Sequence, residues 1–320
     1  MAAATPTRLG QVNGAGANDA LFLKMYAGQV LAAYTRYNQF EMKAFVKMIT
    51  AGKSATFPAI GRSTAEYHTI GAELTGNTVN QNEVIITADA QMVASEFVAE
   101  YDELLNHFET QSILASEQGK ALATQTDRHL LIETYNGSQA AATVTGLPGG
   151  STITDANLIS ATDTTRVQAI IDALRASAQQ LDENDAPDEG RYAVLRPIDY
   201  YLLVNTAQTS GFSAINADYR GAGSLADGKV FRIDGIDICK TNNLPSTNLA
   251  ASGIDTYHNA DMTNVAGLVG VRGAVGMTKL QSLKSTAHDD HRRLGTLLVT
   301  RQVVGIKALR PESCIAWESA

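Results

Sequence analysis

The chain has 320 residues, 44% of them hydrophobic and 18% charged, a globular balance with length enough for one to three compact units and unlike that of disordered or fibrous sequences. Its net charge of -8 argues against general nucleic-acid binding, which needs a basic surface to displace counterions from phosphates. Cys239 and Cys314, the only two cysteines, are too few for a disulfide framework and not spaced as a redox or zinc motif, so both are expected to be small buried residues.

Residues 1–18 are rich in Ala, Gly, Asn and Thr, without an apolar run or a basic leader. They read as a flexible arm rather than a signal peptide, and no stretch reaches the roughly 18 apolar residues of a membrane span, so a soluble protein, intracellular when made, is expected. A helix follows, capped by Asn18 or Asp19, with Leu21, Met25, Gly28, Leu31 and Ala32 along one face. From about Met42 to Val98 the β-like runs FVKMI and EVIITADAQMVA flank a polar stretch containing Gly61, Gly71 and Gly76. This is the pattern of a long two-stranded excursion with a loose tip. Two strands alone bury too little to be stable in water, so such a hairpin has to lie on something else.

Residues 99–136 hold no Pro and one Gly, with Tyr101, Leu104, Leu105, Phe108, Ala115 and Leu122 at helical spacing, and predict a long amphipathic helix. NGSQAAATVTGLPGGSTIT (136–154) is a turn-rich connector and the best domain boundary. A second helix carries Val167, Ile170, Ile171, Leu174, Ala178 and Leu181, and ends before Asn184 and Pro187. RYAVL then reads as a strand, PIDYYLLVN as a helix opened by Pro197, and KVFRIDGIDICK as a hairpin turning at Asp234-Gly235. Residues 265–280 are strand-like but carry glycine at 267, 270, 273 and 276, which predicts bulges or close backbone approach. LGTLLVTRQVVGIKALRP and CIAW read as β-structure returning to pack on earlier elements, with Trp317 anchoring the C-terminus.

Candidate chemistry is sparse. Gly52-Lys53-Ser54 resembles the end of a phosphate-binding loop, but the position that needs the first glycine is Lys47, and ATFPAIG follows instead of a helix. GAGSLADG (221–228) lacks the dinucleotide spacing and reads as a surface loop. His288-Asp289-Asp290-His291 could place two imidazoles on one helix face, but no third ligand is indicated, and a solvated turn is the alternative. No nucleophile elbow is present. No catalytic, cofactor-binding or metal residue is assigned. A soluble α/β enzyme using Gly52-Lys53-Ser54 or the histidine cluster remains the alternative from another functional class.

Charge is distributed unevenly. Residues 1–62 carry seven bases and two acids, a net +5, whereas residues 63–160 carry two bases and thirteen acids, a net -11. Adjacent segments of opposite sign suggest complementary surfaces, within a chain or between copies.

The order of arm, long hairpin, long helix, compact α/β unit and returning strands resembles the major capsid protein of tailed bacteriophages, a fold shared with herpesvirus capsids and encapsulin shells. ALFLKMYAGQVLAAYTR, AGKSATFPAIGR followed by Tyr67, RGAVGMTKL and LRPES are similar to short-tailed podophages of the Autographivirus type. The resemblance implies an α+β tailed-phage major capsid fold in four parts. These are an N-terminal arm and helix (1–41), an extended β-hairpin loop (42–98), a peripheral domain with its spine helix (99–145 plus 285–320) and a compact α/β axial domain (146–284).

It further implies a structural, non-enzymatic protein that self-assembles in the host bacterial cytoplasm into pentamers and hexamers of an icosahedral head. That head would enclose double-stranded DNA without sequence-specific binding. A separate scaffolding protein and a portal protein at one vertex are the implied partners, with no membrane and no cofactor. An encapsulin-type compartment shell is the rival of the same fold. Lys47, Lys53, Phe57, Arg62 and Tyr67 are the candidate intersubunit contacts. Lys43, Lys47 and Lys53 lie where some members of the wider fold form a Lys–Asn crosslink, but the podophage group does not crosslink and no such bond is expected.

Overall fold

The structure, a computed structural model, describes residues 20–71, 73, 76–101, 110–206, 232–249 and 257–319. Its helices are α1 (Ala20–Tyr37), α2 (Thr110–Gln139), α3 (Asp163–Glu183) and α4 (Pro197–Thr206). Its strands are β1 (Phe45–Met48), β2 (Ser54–Ile60), β3 (Gln81–Thr87), β4 (Met92–Ala99), β5 (Ser151–Thr154), β6 (Arg191–Leu195), β7 (Arg232–Ile233), β8 (Ile236–Lys240), β9 (Val265–Val271), β10 (Val275–Asp290), β11 (Gly295–Ala308) and β12 (Cys314–Glu318). The strands form a four-stranded sheet in the order β1-β10-β11-β4, a six-stranded sheet in the order β5-β12-β9-β6-β8-β7, and the hairpin β2-β3. The arm (1–18), Leu21 and Met25 as side chains, Leu104, Leu105, Phe108 and GAGSLADG fall outside the described residues.

The chain divides into two compact units. The first comprises residues 1–39, 89–127 and 279–304. Within it β11 pairs antiparallel with β4, from Gly295 opposite Ala99 to Gln302 opposite Met92. Val30, Ala115 and Leu298 form one apolar cluster and Tyr34, Leu122 and Ala123 another. The α1 stripe that is buried is Val30, Ala33 and Tyr34, while Leu31 is 55% exposed, which shifts the expected apolar face by two residues. The cause is Gly119: a Cβ there would lie 2.5 Å from the Val30 carbonyl oxygen and 3.0 Å from the Ala33 Cβ, so only glycine lets the two helices meet on that face. Two buried side-chain hydrogen bonds tie helix to sheet. Thr300 Oγ1 donates to Gln118 Oε1 at 2.7 Å, and Gln302 Nε2 donates to Thr126 Oγ1 at 2.8 Å.

The second unit comprises residues 40–88, 128–278 and 305–320. The six-stranded sheet forms its core with α3 and α4, and every residue of β6 and β9 is buried. Strands buried on both faces read as continuous apolar runs, which is why RYAVL and VAGLVGV show no polar alternation. The α3 face predicted from sequence is the buried one: Val167, Ile170, Ile171, Leu174 and Leu181 are each 1% exposed or less. Asp234 (φ 46°) and Gly235 (φ 83°) make the expected two-residue turn between β7 and β8. β12 inserts between β5 and β9, parallel to the first and antiparallel to the second. It carries Trp317, fully buried, whose Nε1 donates to Ser177 Oγ at 2.8 Å. A Cβ at residue 267 would lie 2.6 Å from that indole, so the glycine is the space the tryptophan occupies.

Four further expectations change. α2 continues to Gln139, past the start of the assigned connector, because Gly137 packs where a Cβ would lie 2.9 Å from Ala308 and 3.0 Å from the Cys314 sulfur. Tyr101, placed on a buried helix face, is 70% exposed. Cys239 is only partly buried, with Lys43 Nζ 2.8 Å from its sulfur, whereas Cys314 is buried as expected. The excursion is built from other strands than expected. SATFPAI pairs with QNEVIIT, FVKM is instead the edge of the four-stranded sheet, and EVIITADAQMVA divides between β3 and β4. Pro58 does not break β2, because a two-stranded hairpin leaves each strand one open edge where the missing N–H costs nothing.

Candidate assembly surface

The hairpin β2-β3 alternates. Ala55, Phe57, Val84 and Ile86 are buried and the residues between them are not, so one face rests on its own unit, against Ile49 and Leu309. Hydrogen bonds fix the far end: Asn82 Nδ2 donates to the Thr143 carbonyl at 2.6 Å and Asn80 Nδ2 to the Thr145 carbonyl at 3.2 Å. The N–H of Gly61 donates to the Asn80 carbonyl at 2.9 Å, and Arg62 makes the last anchoring contacts before the tip. Every described residue from 62 to 78 is exposed, and Tyr67 and Ile70 are 105% and 99% exposed.

The five candidate contact residues separate into distinct environments. Lys47 Nζ, on exposed β1, donates to the Thr56 carbonyl at 3.2 Å and lies 5.2 Å from the centre of the Phe57 ring. Phe57 is 7% exposed and meets Phe45 edge-on at 5.8 Å. Lys53 is exposed in the turn before β2, and its carbonyl accepts from the Ala88 N–H at 2.7 Å. Arg62 is engaged within the chain: Nη1 pairs with Asp185 Oδ2 at 2.6 Å and Nη2 donates to the Asn184 carbonyl at 2.8 Å. Tyr67 projects from the tip. The fold thus brings Lys47 and Phe57 together and leaves Lys53, Arg62 and Tyr67 apart.

The partners of Arg62 carried no sequence signal beyond the helix stop at Asn184 and Pro187. Their loop is shaped by Arg191, 5% exposed, which pairs with Asp182 at 2.7 Å and Asp188 at 2.8 Å and donates to the carbonyls of Ala186 and Pro187 at 2.8 and 3.0 Å. Within this loop Asp185 adopts a left-handed conformation, φ 52°. Between this loop, the hairpin and residues 309–313 lies a cleft of about 640 Å³. Sequence reasoning did not find it, because its walls come from seven separate stretches of sequence.

The remaining chemical candidates fare differently. Gly52 (φ 92°) and Lys53 form a turn that opens strand β2 rather than a helix, so no helix N-terminus is presented to a phosphate. His288 lies on β10 and His291 in the turn after it, not on a helix. Among the described residues no group of three or more His, Cys, Asp or Glu is placed to hold a metal ion, and no helix is long and apolar enough to cross a membrane. Burial, reinforced by Glu312 and Glu133, pushes the Cys314 thiol up to about 12, as expected of a packing residue rather than a nucleophile.

A six-stranded sheet flanked by helices, with a long hairpin and a long helix outside it, defines the capsid fold of tailed phages. Among solved structures, the capsid of cyanophage P-SCSP1u superposes with a TM-score of 0.76 at 36% identity, covering 100% of this chain and 99% of that one. The mature capsid of bacteriophage PhiM1 superposes at 0.72 with 18% identity, over 88% and 87% of the two chains. The major capsid protein of Escherichia phage T7 is 25% identical over 321 residues, 93% of this chain and 92% of its own length. The chain belongs to the Gp10A-like major capsid protein family, whose family model matches residues 56–318. It is accordingly a structural, non-enzymatic component of a podovirus-type phage head, located in the virion capsid.

Proposed function

We propose that many copies of this chain assemble into pentamers and hexamers of an icosahedral head enclosing double-stranded DNA. The observation that carries the reading is the hairpin tip, whose Tyr67 and Ile70 are 105% and 99% exposed and of which every described residue from 62 to 78 is exposed. Monomeric proteins rarely leave such a projection uncovered, and symmetric repetition turns modest contacts into a stable shell. The chain's acidic balance suits a container, since an inner wall that gripped DNA would hinder packing and release.

In this reading residues 1–41 are the arm, 42–98 the extended loop, 99–145 with 285–320 the peripheral domain and 146–284 the axial domain. A separate scaffolding protein directs assembly in the host cytoplasm, and a portal occupies one vertex. Lys47, Lys53 and Tyr67 contact a neighbour directly. Phe57, already buried, supports that contact from beneath, and Arg62 would have to exchange Asp185 for an acid on the neighbour. Size-exclusion chromatography and electron microscopy test the reading: megadalton particles are expected, with DNA inside those purified from infected cells. A monomer or small oligomer that binds ATP or a metal tightly would overturn it.

A further inference from the structure

We infer that Lys43 and Cys239 form an oxidation-sensitive pair that peroxide closes into a covalent nitrogen–sulfur link within one chain. The link itself stands apart from the assembly reading above, on which only its timing rests.

Lys43 ends the 3-10 turn Glu41–Lys43 that leads into β1, and Cys239 lies 196 residues away in sequence, near the end of β8. Lys43 Nζ donates to the Cys239 sulfur at 2.8 Å, and among the described residues no carboxylate pairs with this ammonium. Its position is fixed by its surroundings. The Gly273 N–H donates to the Lys43 carbonyl at 2.8 Å, and the ammonium lies 4.2 Å from the centre of the buried Tyr192 ring and 5.5 Å from that of Phe40. Two aromatic rings hold a cation without neutralising it, so its charge stays available to the sulfur. Cys239 pairs with Val194 of β6 on one side, while on the other β7 reaches only as far as Asp237. The cysteine is partly exposed, within reach of a small oxidant. Lys240, the next residue, is not a rival amine: neighbouring residues of a strand point to opposite faces, and its Nζ donates to the Tyr201 hydroxyl at 2.6 Å.

The thiolate is the form that peroxide oxidises, and an adjacent ammonium stabilises that anion. Peroxide transfers one oxygen to the sulfur as its O–O bond breaks, leaving a sulfenic acid and water. The Lys43 amine, once it has released its extra proton, attacks that sulfur. The S–O bond breaks as the S–N bond forms, and the hydroxide departs with a proton from nitrogen as a second water, the condensation by which backbone nitrogen makes a sulfenamide. One thiol, one amine and one hydrogen peroxide thus give one S–N link and two waters, with sulfur oxidised and peroxide reduced. A virion leaves the reducing interior of the cell that made it, so the link is a lock that closes after release and ties the turn before β1 to the six-stranded sheet.

Peptide mapping of the full chain, purified under reducing conditions and then treated with hydrogen peroxide, tests the inference. The Lys43 and Cys239 peptides are expected to appear joined, lighter than their sum by two hydrogen atoms, and to separate on addition of dithiothreitol, while the fully buried Cys314 stays a thiol. In Lys43→Arg, whose guanidinium keeps the charge but cannot be deprotonated to attack, Cys239 is expected to stop at the sulfenic acid and to be trapped by dimedone. Cys239→Ser is expected to give no link. Should either variant fail to fold, the map of the unaltered chain decides alone. A Cys239 that is not oxidised, a sulfenic or sulfinic acid beside a free Lys43, or a joined pair that retains an oxygen atom overturns the inference. Alkylating thiols in intact infected cells is expected to find Cys239 free, and a link already complete there overturns its closing after release.

Discussion

The second unit contains two regions that treat apolar residues in opposite ways. In the six-stranded sheet every residue of β6 and β9 is buried and Trp317 is sealed against α3. In the hairpin tip, 20 residues long from Gly61 to Asn80, Tyr67 and Ile70 face solvent completely. The sheet is finished within one chain and the tip is not. Changes in the sheet should therefore cost folding, and changes in the tip should cost assembly while leaving the subunit intact.

The largest effect is expected at the sheet. Trp317→Ala removes the central side chain and leaves the Ser177 hydroxyl only its bond to the Ala173 carbonyl, and should destabilise the subunit by about 3–5 kcal/mol, read as a lower urea midpoint. An unchanged midpoint would mean that the indole is not the anchor it looks to be.

Alkaline pH probes the same region less severely. The Cys314 pKa is raised from 9.0 to about 12 in the fold, so above pH 9 the unfolded chain gives up a proton that the folded chain keeps. Stability from this group is fully present below pH 9 and is lost as pH rises from 9 toward 12, at about 1.4 kcal/mol per pH unit at most. Unfolding at pH 7 and pH 10.5 measures it, and Cys314→Ala should lose less stability between those two values than the unaltered chain.

Smaller still is the effect of freeing the hairpin's end. The Arg62–Asp185 side chains are 47% and 71% exposed, so Arg62→Ala should cost at most about 1 kcal/mol of subunit stability. Reversing Lys47, Lys53 and Arg62 together to Glu should leave the fold and abolish particles, since it removes the positive side of the charge asymmetry. Normal particles from that triple variant would refute an intersubunit role for these charges. Least of all, Tyr67→Ser with Ile70→Ser should move stability by no more than about 0.5 kcal/mol, yet particle yield should collapse. The contrast with Trp317→Ala is sharpest here.

The two regions also differ in how far they could be read from sequence. α3, β6, α4, the Asp234-Gly235 turn and β12 follow from periodicity, caps and turn chemistry, because each is fixed by residues within a few positions of one another. The resemblance in AGKSATFPAIGR pointed to the right family, which spacing alone did not. Non-local choices stayed hidden. FVKM and SATFPAI are both plausible hairpin strands, and only pairing with β10 or β3 decides between them. The buried stripe of α1 was set by Gly119, about ninety residues away in sequence. The partner of Arg62 within the chain was hidden too, because nothing near it in sequence announces Asp185. The cleft, assembled from seven stretches of sequence, had no linear signature at all.

Hydrogen–deuterium exchange, run on the dissociated subunit and on assembled particles, tests the central claim most directly. Amides of residues 61–80 should exchange rapidly in the subunit and become protected in particles, while those of β6 and β9 stay protected in both. Equal, rapid exchange of residues 61–80 in the two states would contradict the account, because the tip would then be as uncovered in the shell as it is alone.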